Sequence, residues 1–330
     1  MNREILKLGL LVSVFLVVPT AGFAERLGVC GANNGNGVCE TKSMQAFRVA
    51  ARIIGDALKG CSGRSSPCLD QFNFDDRWDE NVAVEIAYNF IVKTERVTLE
   101  FKSERDNPGF FFLDGQVRIA KTGSNLGDVI YLNKDMVEAN NVDITEAVAV
   151  LAHELGHHIG IKDHQRLDRF GAKLADYINK FKNSALEIMP GAAGGEQTVE
   201  LFVFNLWNAV AGPAGFLTHG NSAVILWDGF DYVDLTKDLQ PKLCEGSLSL
   251  KGFNIRSFEL APAANNSLVA KLPMSYVCMP ENGFGRNHFD LNAYASLPTK
   301  KIGDHAIIDA DQITWEIKKC SEDHDLGCVP

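Results

Sequence analysis

The 330-residue chain lacks several features that would assign whole classes of function. After its first apolar run no stretch reaches transmembrane length, so no membrane span is expected of the mature chain. Basic residues are not in excess. Lys and Arg number 32 against 42 Asp and Glu, a formal charge of −10. That balance leaves no electrostatic footprint for nucleic acid or anionic lipid, both of which attract basic patches. No glycine-rich phosphate loop follows a predicted strand, so nucleotide chemistry is not indicated. Tight C-x-x-C spacing is absent, which argues against a cysteine metal site. There is no internal repeat and no long low-complexity tract, and no Ser, Cys and His arrangement for nucleophilic catalysis can be assembled.

What is present begins with a leader. Residues 1–24 read as a signal peptide: Arg3 and Lys7 form a basic start, Leu8 to Val18 a short apolar run, and small residues end at Ala24. Its removal takes away Arg3, Lys7 and Glu4 and moves the formal charge from −10 to −11. No lipoprotein cysteine follows, so the expectation is a secreted or periplasmic protein. All eight cysteines lie after the leader, in two groups of four. An even count in an exported chain points to disulfides within each group. The expected pairs are Cys30 with Cys39, Cys61 with Cys68, Cys244 with Cys278 and Cys320 with Cys328, one of three connectivities open to each group. Roughly 300 mature residues suggest two domains rather than one.

Residues 25–43 read as a stapled loop. Phe47, Ala50, Ile53, Ile54, Ala57 and Leu58 recur at helical spacing from Ser43 to Lys59. The segment to Asn81 reads as polar loop, and Val82 to Val92 is either a short helix or a buried strand. Strands are expected at 96–102, at 110–113 and 116–120 around the Asp114-Gly115 turn, and at 128–133. Leu167, Phe170, Leu174, Ile178 and Phe181 form the core stripe of a helix from Gln165 to Lys182. Pro190 to Gly195 breaks the pattern and is the expected domain boundary. Beyond it, strands are expected at 199–206, 222–227, 247–253, 256–260, 268–272, 306–308 and 313–317, the pattern of a sandwich or barrel. The fold class is therefore an α+β domain at 25–190 followed by a β-rich, sandwich-like domain at 196–330.

The chemistry concentrates at Ala149-Val150-Leu151-Ala152-His153-Glu154-Leu155-Gly156-His157-His158-Ile159-Gly160. Asp143 with Glu146 is a capping-box pair ahead of an apolar run, and Gly160 is a plausible stop. His153 and His157 stand one helical turn apart, so they share a face and can share a metal. Glu154 lies beside the first ligand, placed to accept a proton from an activated water. His158 points off that face, and His219, His288, His305 and His324 are read as surface residues.

His153 to His164 resembles the extended zinc motif of metzincin peptidases, H-E-x-x-H-x-x-G-x-x-H. Gly160 matches the family glycine, while the third histidine is replaced by Asp163, with His164 one residue later. The resemblance, over roughly residues 128–190, implies a zincin-like domain, a Zn²⁺ cofactor and a protein or peptide substrate. It implies His153, His157 and Asp163 as ligands, as in snapalysin-like members, and Glu154 as general base. His164 is the second choice for the third ligand. Asp168 is another, as in aspzincins, set against its role as a first-turn residue complementing the helix dipole. Met189 is placed for the family's methionine turn or for core filling. The family also suggests strand 128–133 as the sheet edge along which a peptide lies. The function expected is an exported zinc endopeptidase. A zinc-containing binding or adhesion protein, and a metal-dependent hydrolase of a non-peptide cell-wall target, are the other classes.

Overall fold

The computed structural model describes residues 25–26, 40–58, 77–87, 89, 97–113, 115–190, 196–206, 222–244, 248–280, 287–302 and 305–320. The leader, Cys30, Cys39, Cys61, Cys68, Asp114, His219, His324 and Cys328 lie outside them, as do three of the expected disulfides in whole or in part.

The first half builds a helical layer over a small sheet. After strand β1 (Glu25–Arg26), helix α1 (Lys42–Leu58) buries Phe47, Ala50, Ile53, Ile54 and Ala57 as its spacing predicts. Helix α2 (Arg77–Ala87) places residues 82–87 of the ambiguous stretch in a helix, and starts earlier, inside the segment read as loop. Val82, Ala83, Ile86 and Ala87 form its buried stripe, whose polar first turn had disguised it. Strand β2 (Leu99–Lys102) follows, then the hairpin of β3 (Phe112–Leu113) and β4 (Gln116–Val117), β5 (Ala120–Lys121) and β6 (Ile130–Asn133). Strand β6 lies between β2, parallel to it, and β5, antiparallel to it. This corrects one expectation: β6 is internal to its sheet, and the edge belongs to β5. Helix α3 (Lys134–Ala139) is capped by the Asn133 side chain. Helices α4 (Ile144–His158) and α5 (His164–Lys180) complete the layer. They approach closely at Gly171, where a Cβ would stand 2.4 Å from the Ala149 carbonyl oxygen.

The second half is two sheets. Strands β7 (Lys182–Pro190), β8 (Glu196–Asn205), β9 (Ser222–Trp227) and β10 (Tyr232–Asp234) join β1 in the antiparallel order β1-β10-β9-β8-β7. A short helix, α6 (Thr236–Leu239), leads to β11 (Leu248–Ile255), β12 (Glu259–Ala263), β13 (Ser267–Pro280) and β14 (Asn287–Leu297). Strands β15 (Thr299–Ile302) and β16 (His305–Ile308) form a hairpin, and β17 (Thr314–Lys319) closes the second sheet as β11-β13-β14-β17, with β12 also on β13. Cys244 is bonded to Cys278 of β13, with Cα atoms 5.8 Å apart, which is one of the expected pairs.

The first of these sheets is the middle of three layers. Its Phe202, Phe204, Ala223, Ile225 and Tyr232 join the core of α1, α4 and α5. Its Val199, Leu201, Val203, Val224, Leu226 and Val233 join the core of the second sheet. The boundary expected at 190–196 is thus corrected. Strands β7 and β8 pair without a break from Lys182↔Phe204 to Pro190↔Glu196, so the Gly-rich segment connects one hairpin. Polar bonds tie the layers further. Gln45 of α1 donates to the Phe230 carbonyl and accepts from Tyr232 N–H, and Arg52 pairs with Asp56 and Asp234. On the other side Asn205 donates to the Ile255 carbonyl at 2.9 Å, and Asp228 accepts from Ile308 N–H at 3.0 Å.

Candidate metal centre

Helix α4 starts and stops as its sequence dictates. Asp143 accepts from Glu146 N–H at 2.9 Å while Glu146 accepts from Asp143 N–H at 3.1 Å, the reciprocal capping box. At the other end Gly160 has φ +84, in the left-handed region that glycine tolerates best. Ile161 N–H donates to the Gly156 carbonyl at 3.2 Å and Gly160 N–H to the His157 carbonyl at 2.9 Å, which is the Schellman pattern. The chain therefore turns sharply and starts α5 four residues later. That turn brings the beginning of α5 back over the end of α4.

Three imidazoles meet there. His153 Nε2 lies 3.1 Å from His157 Nε2 and 3.0 Å from His164 Nδ1, and the three donor atoms all fall within 4.8 Å of one another. Tetrahedral zinc with bonds of about 2.0–2.1 Å sets its nitrogens roughly 3.3 Å apart, close to the two separations measured from His153 Nε2.

The tautomers follow from the outer partners. His153 Nδ1 faces Asp168 Oδ1 at 2.8 Å, and His157 Nδ1 faces the Ile161 carbonyl oxygen at 2.7 Å. A carboxylate and a carbonyl accept only, so both Nδ1 atoms carry the proton when the rings are neutral. Both Nε2 lone pairs then point at one another across 3.1 Å. Lone pairs so placed repel unless a cation stands between them, and the donor set suits one. Burial holds the pKa of both His153 and His157 below the ordinary histidine value, with the neighbouring His157 adding to the effect on His153. Neutral rings are the form a metal requires.

Asp163, first choice for the third ligand, is elsewhere. It is the N-cap of α5, where its side chain accepts from Arg166 N–H at 3.1 Å. His164, the second choice, takes the place beside the other two histidines because it is the first residue of α5, and the cap aims Asp163 along that helix instead. Asp168 is not a member of the three-residue cluster, nor does it lie in the first turn of α5 as expected: it is that helix's fifth residue and faces His153. Met189 is on strand β7, paired with Gln197, and not in a turn beneath the histidines. His158 does point off the ligand face; it is buried, with Nε2 2.7 Å from Thr122 Oγ1.

Glu154 is buried beside the cluster, and its Oε2 has no hydrogen-bond partner. Burial pushes its carboxyl up to about 7, with Arg118 opposing the rise and Asp168 adding to it. It lines a cavity of about 710 Å³ together with the three histidines, Asp168 and the segment from Arg118 to Ser124. That segment contains the edge strand β5. Ala120 stands opposite Leu132 while Asn133 N–H bonds to the Ile119 carbonyl, so Ala120 is at a non-hydrogen-bonded position. Its own N–H and C=O consequently face the open side. The role of Arg118 and β5 was not legible in the sequence, because nothing in residues 114–124 carries a metal or catalytic motif. Comparison of the chain with protein-family models, curated proteins and solved structures finds no match.

Proposed function

We propose that the chain is an exported zinc-dependent endopeptidase of the zincin type. The observation that carries this reading is the pair of Nε2 lone pairs converging with His164 Nδ1, beside a buried carboxylate in an open cavity. His153, His157 and His164 would hold the ion. When bound, zinc supplies Lewis acidity at the scissile carbonyl, makes water nucleophilic near neutral pH and favours the ionised form of Glu154.

The remaining work belongs to the chain. Glu154 takes the proton of the attacking water and passes it to the leaving amine, a shuttle that needs one carboxylate without competing partners. Asp168 and the Ile161 carbonyl keep two rings in the tautomer that presents Nε2. The outward N–H and C=O of Ala120 offer a peptide main-chain bonds, so an extended substrate lies along β5 rather than β6. A site serving only structure has no use for an unpartnered buried carboxylate, which favours hydrolysis over a binding or adhesion role.

Glu154→Gln separates the two duties. The variant is expected to retain about one zinc per chain by metal analysis and to lose at least about a hundredfold in peptide turnover. Undiminished cleavage of casein or gelatin by the variant would remove Glu154 from the mechanism. Wild-type chain that holds zinc yet cleaves no peptide would overturn the reading.

A further inference from the structure

The cavity departs in charge from the rest of the molecule. The chain as a whole carries ten more acidic than basic residues. The cavity has cations on two walls: Arg118 and Lys121 from the segment of the edge strand, and Lys162 from the turn after Gly160. The acids lining it are Glu154, which is buried and assigned to proton transfer, and Asp168, whose carboxylate is engaged by His153. Lys121 is also engaged, donating to the Phe110 carbonyl at 2.7 Å. Arg118 is different. Its guanidinium is half-buried and makes no hydrogen bond or ion pair with any described residue, and neither does the exposed Lys162 ammonium.

Arg118 feels the Glu154 carboxyl electrostatically but is hydrogen-bonded to no carboxylate among the described residues, so its five donors, planar, fixed and matched to a bidentate acceptor, stay open to a ligand. Charges of one sign lining a low-dielectric cleft also focus the field there, even on a protein of opposite net charge. A bound divalent ion would add to that field. Of the two acids that could offset it, Asp168 is held by His153, and Glu154 carries the proton of the attacking water.

Resting on the peptidase reading, we propose that this site selects acidic peptides, with Arg118 receiving an Asp or Glu side chain close to the scissile bond and Lys162, on the turn after Gly160, reinforcing the preference. Arg118 lies two residues before Ala120, the first residue of β5, so a strand laid along Ala120 passes close to it without any rearrangement of the sheet.

Binding separates this proposal from the reading beneath it. The zinc-loaded Glu154→Gln chain is titrated with short fluorescent peptides identical except for Glu, Gln or Lys beside the central bond. The Glu peptide is expected to bind on the order of tenfold more tightly than the Gln peptide, the Lys peptide most weakly. The Glu advantage should shrink as salt rises toward about 0.15 M. Adding Arg118→Gln should bring the Glu-to-Gln ratio near one, Arg118→Lys should restore part of it, and Arg118→Glu should favour Lys. A merely structural Arg118 would weaken all three peptides together and leave the ratio alone, which overturns the proposal. Equal affinities for the three peptides, or no binding of any, overturn it as well. If the charge preference holds while the Glu154 chain cleaves none of them, peptide hydrolysis fails and the acidic-ligand site stands. Cleavage with no charge preference would instead overturn the acidic-ligand site and leave peptide hydrolysis standing.

Discussion

On one side of the sheet β1-β10-β9-β8-β7 lie helices whose own sequences carry their start and stop signals. On the other lies a second sheet in which β11 and β17 pair beyond intervening strands, while β12, β13 and β14 pair with their neighbours in sequence. The histidine cluster belongs wholly to the first side: α4 supplies two rings, and the Gly160 turn delivers the third within a few residues. Among the described residues, the second side contributes none to the cavity. Yet the middle sheet buries apolar side chains on both faces, so the two sides share one stability. Chemistry here is local in sequence, whereas the free energy that holds it is not.

The strongest way to break that comparison is to cut it. Residues 25–190 expressed alone keep the whole histidine motif but lose β8 to β10, and with them the apolar floor under α1 and α4. They are expected to show no cooperative thermal transition. A folded, zinc-binding fragment would make the two sides independent domains after all.

Substitutions on opposite faces of β8 sharpen the point. Phe204→Ala removes a side chain from the helix-side core and should cost about 3–5 kcal/mol; Val203→Ala, facing the second sheet, should cost about 1–3 kcal/mol. Both should keep a single transition in urea, observed alike by near- and far-ultraviolet circular dichroism. Separate transitions for the two variants would indicate layers that unfold apart.

Within the helical side, the third ligand is decided by His164→Ala against Asp163→Ala. His164→Ala should lower zinc affinity by more than the ten- to hundredfold that losing an outer partner costs. Asp163→Ala should leave zinc bound and lower stability by about 1 kcal/mol through the lost helix cap. Chelator competition and thermal melts on both variants check the order, and the reverse ranking would restore Asp163 as ligand.

The smallest effect expected is a pH dependence confined to the helical side. His153 and His157 titrate below the ordinary value near 6.5 when folded, and near it when unfolded. The unfolded chain therefore binds more protons than the folded one as pH falls below about 6.5. The contribution of these two rings to the stability of the metal-free chain is full above that point and declines as pH drops through the folded values, while Glu154, raised to about 7, acts in the opposite direction. Melting temperatures measured from about pH 7.5 to 5 should fall more steeply for the wild type than for a His153→Gln, His157→Gln variant. Equal slopes would mean the two rings do not carry the dependence.

Much of the site was legible because its signals are short-range. The capping box, the one-turn histidine spacing and the glycine stop are each read within a few residues, and each forms as written. The register after Gly160 was not. A turn of two or three residues leaves Asp163 and His164 equally near the metal in sequence, and the choice falls on which one the start of α5 uses as its cap. Of the strands that were missed, β7 and β14 escaped for a related reason. In β14 the alternation of Phe289, Leu291, Ala293, Ala295 and Leu297 is present but masked by Asn and Asp between them, and Pro190 and its glycines made β7 look like the end of a domain.

The sequence by itself determined where the motif helix begins and ends, that His153, Glu154 and His157 share one helical turn, and that the later chain is strand-rich, because propensity, capping and side-chain period act over a few residues. Only the tertiary structure decided that β8 and β9 are buried on both faces, that β5 rather than β6 is the open edge, and that Arg118 lines the same cavity as the histidines. Those outcomes depend on which distant strand takes each edge and which layer covers each face, and no local preference encodes a neighbour so far away in the chain.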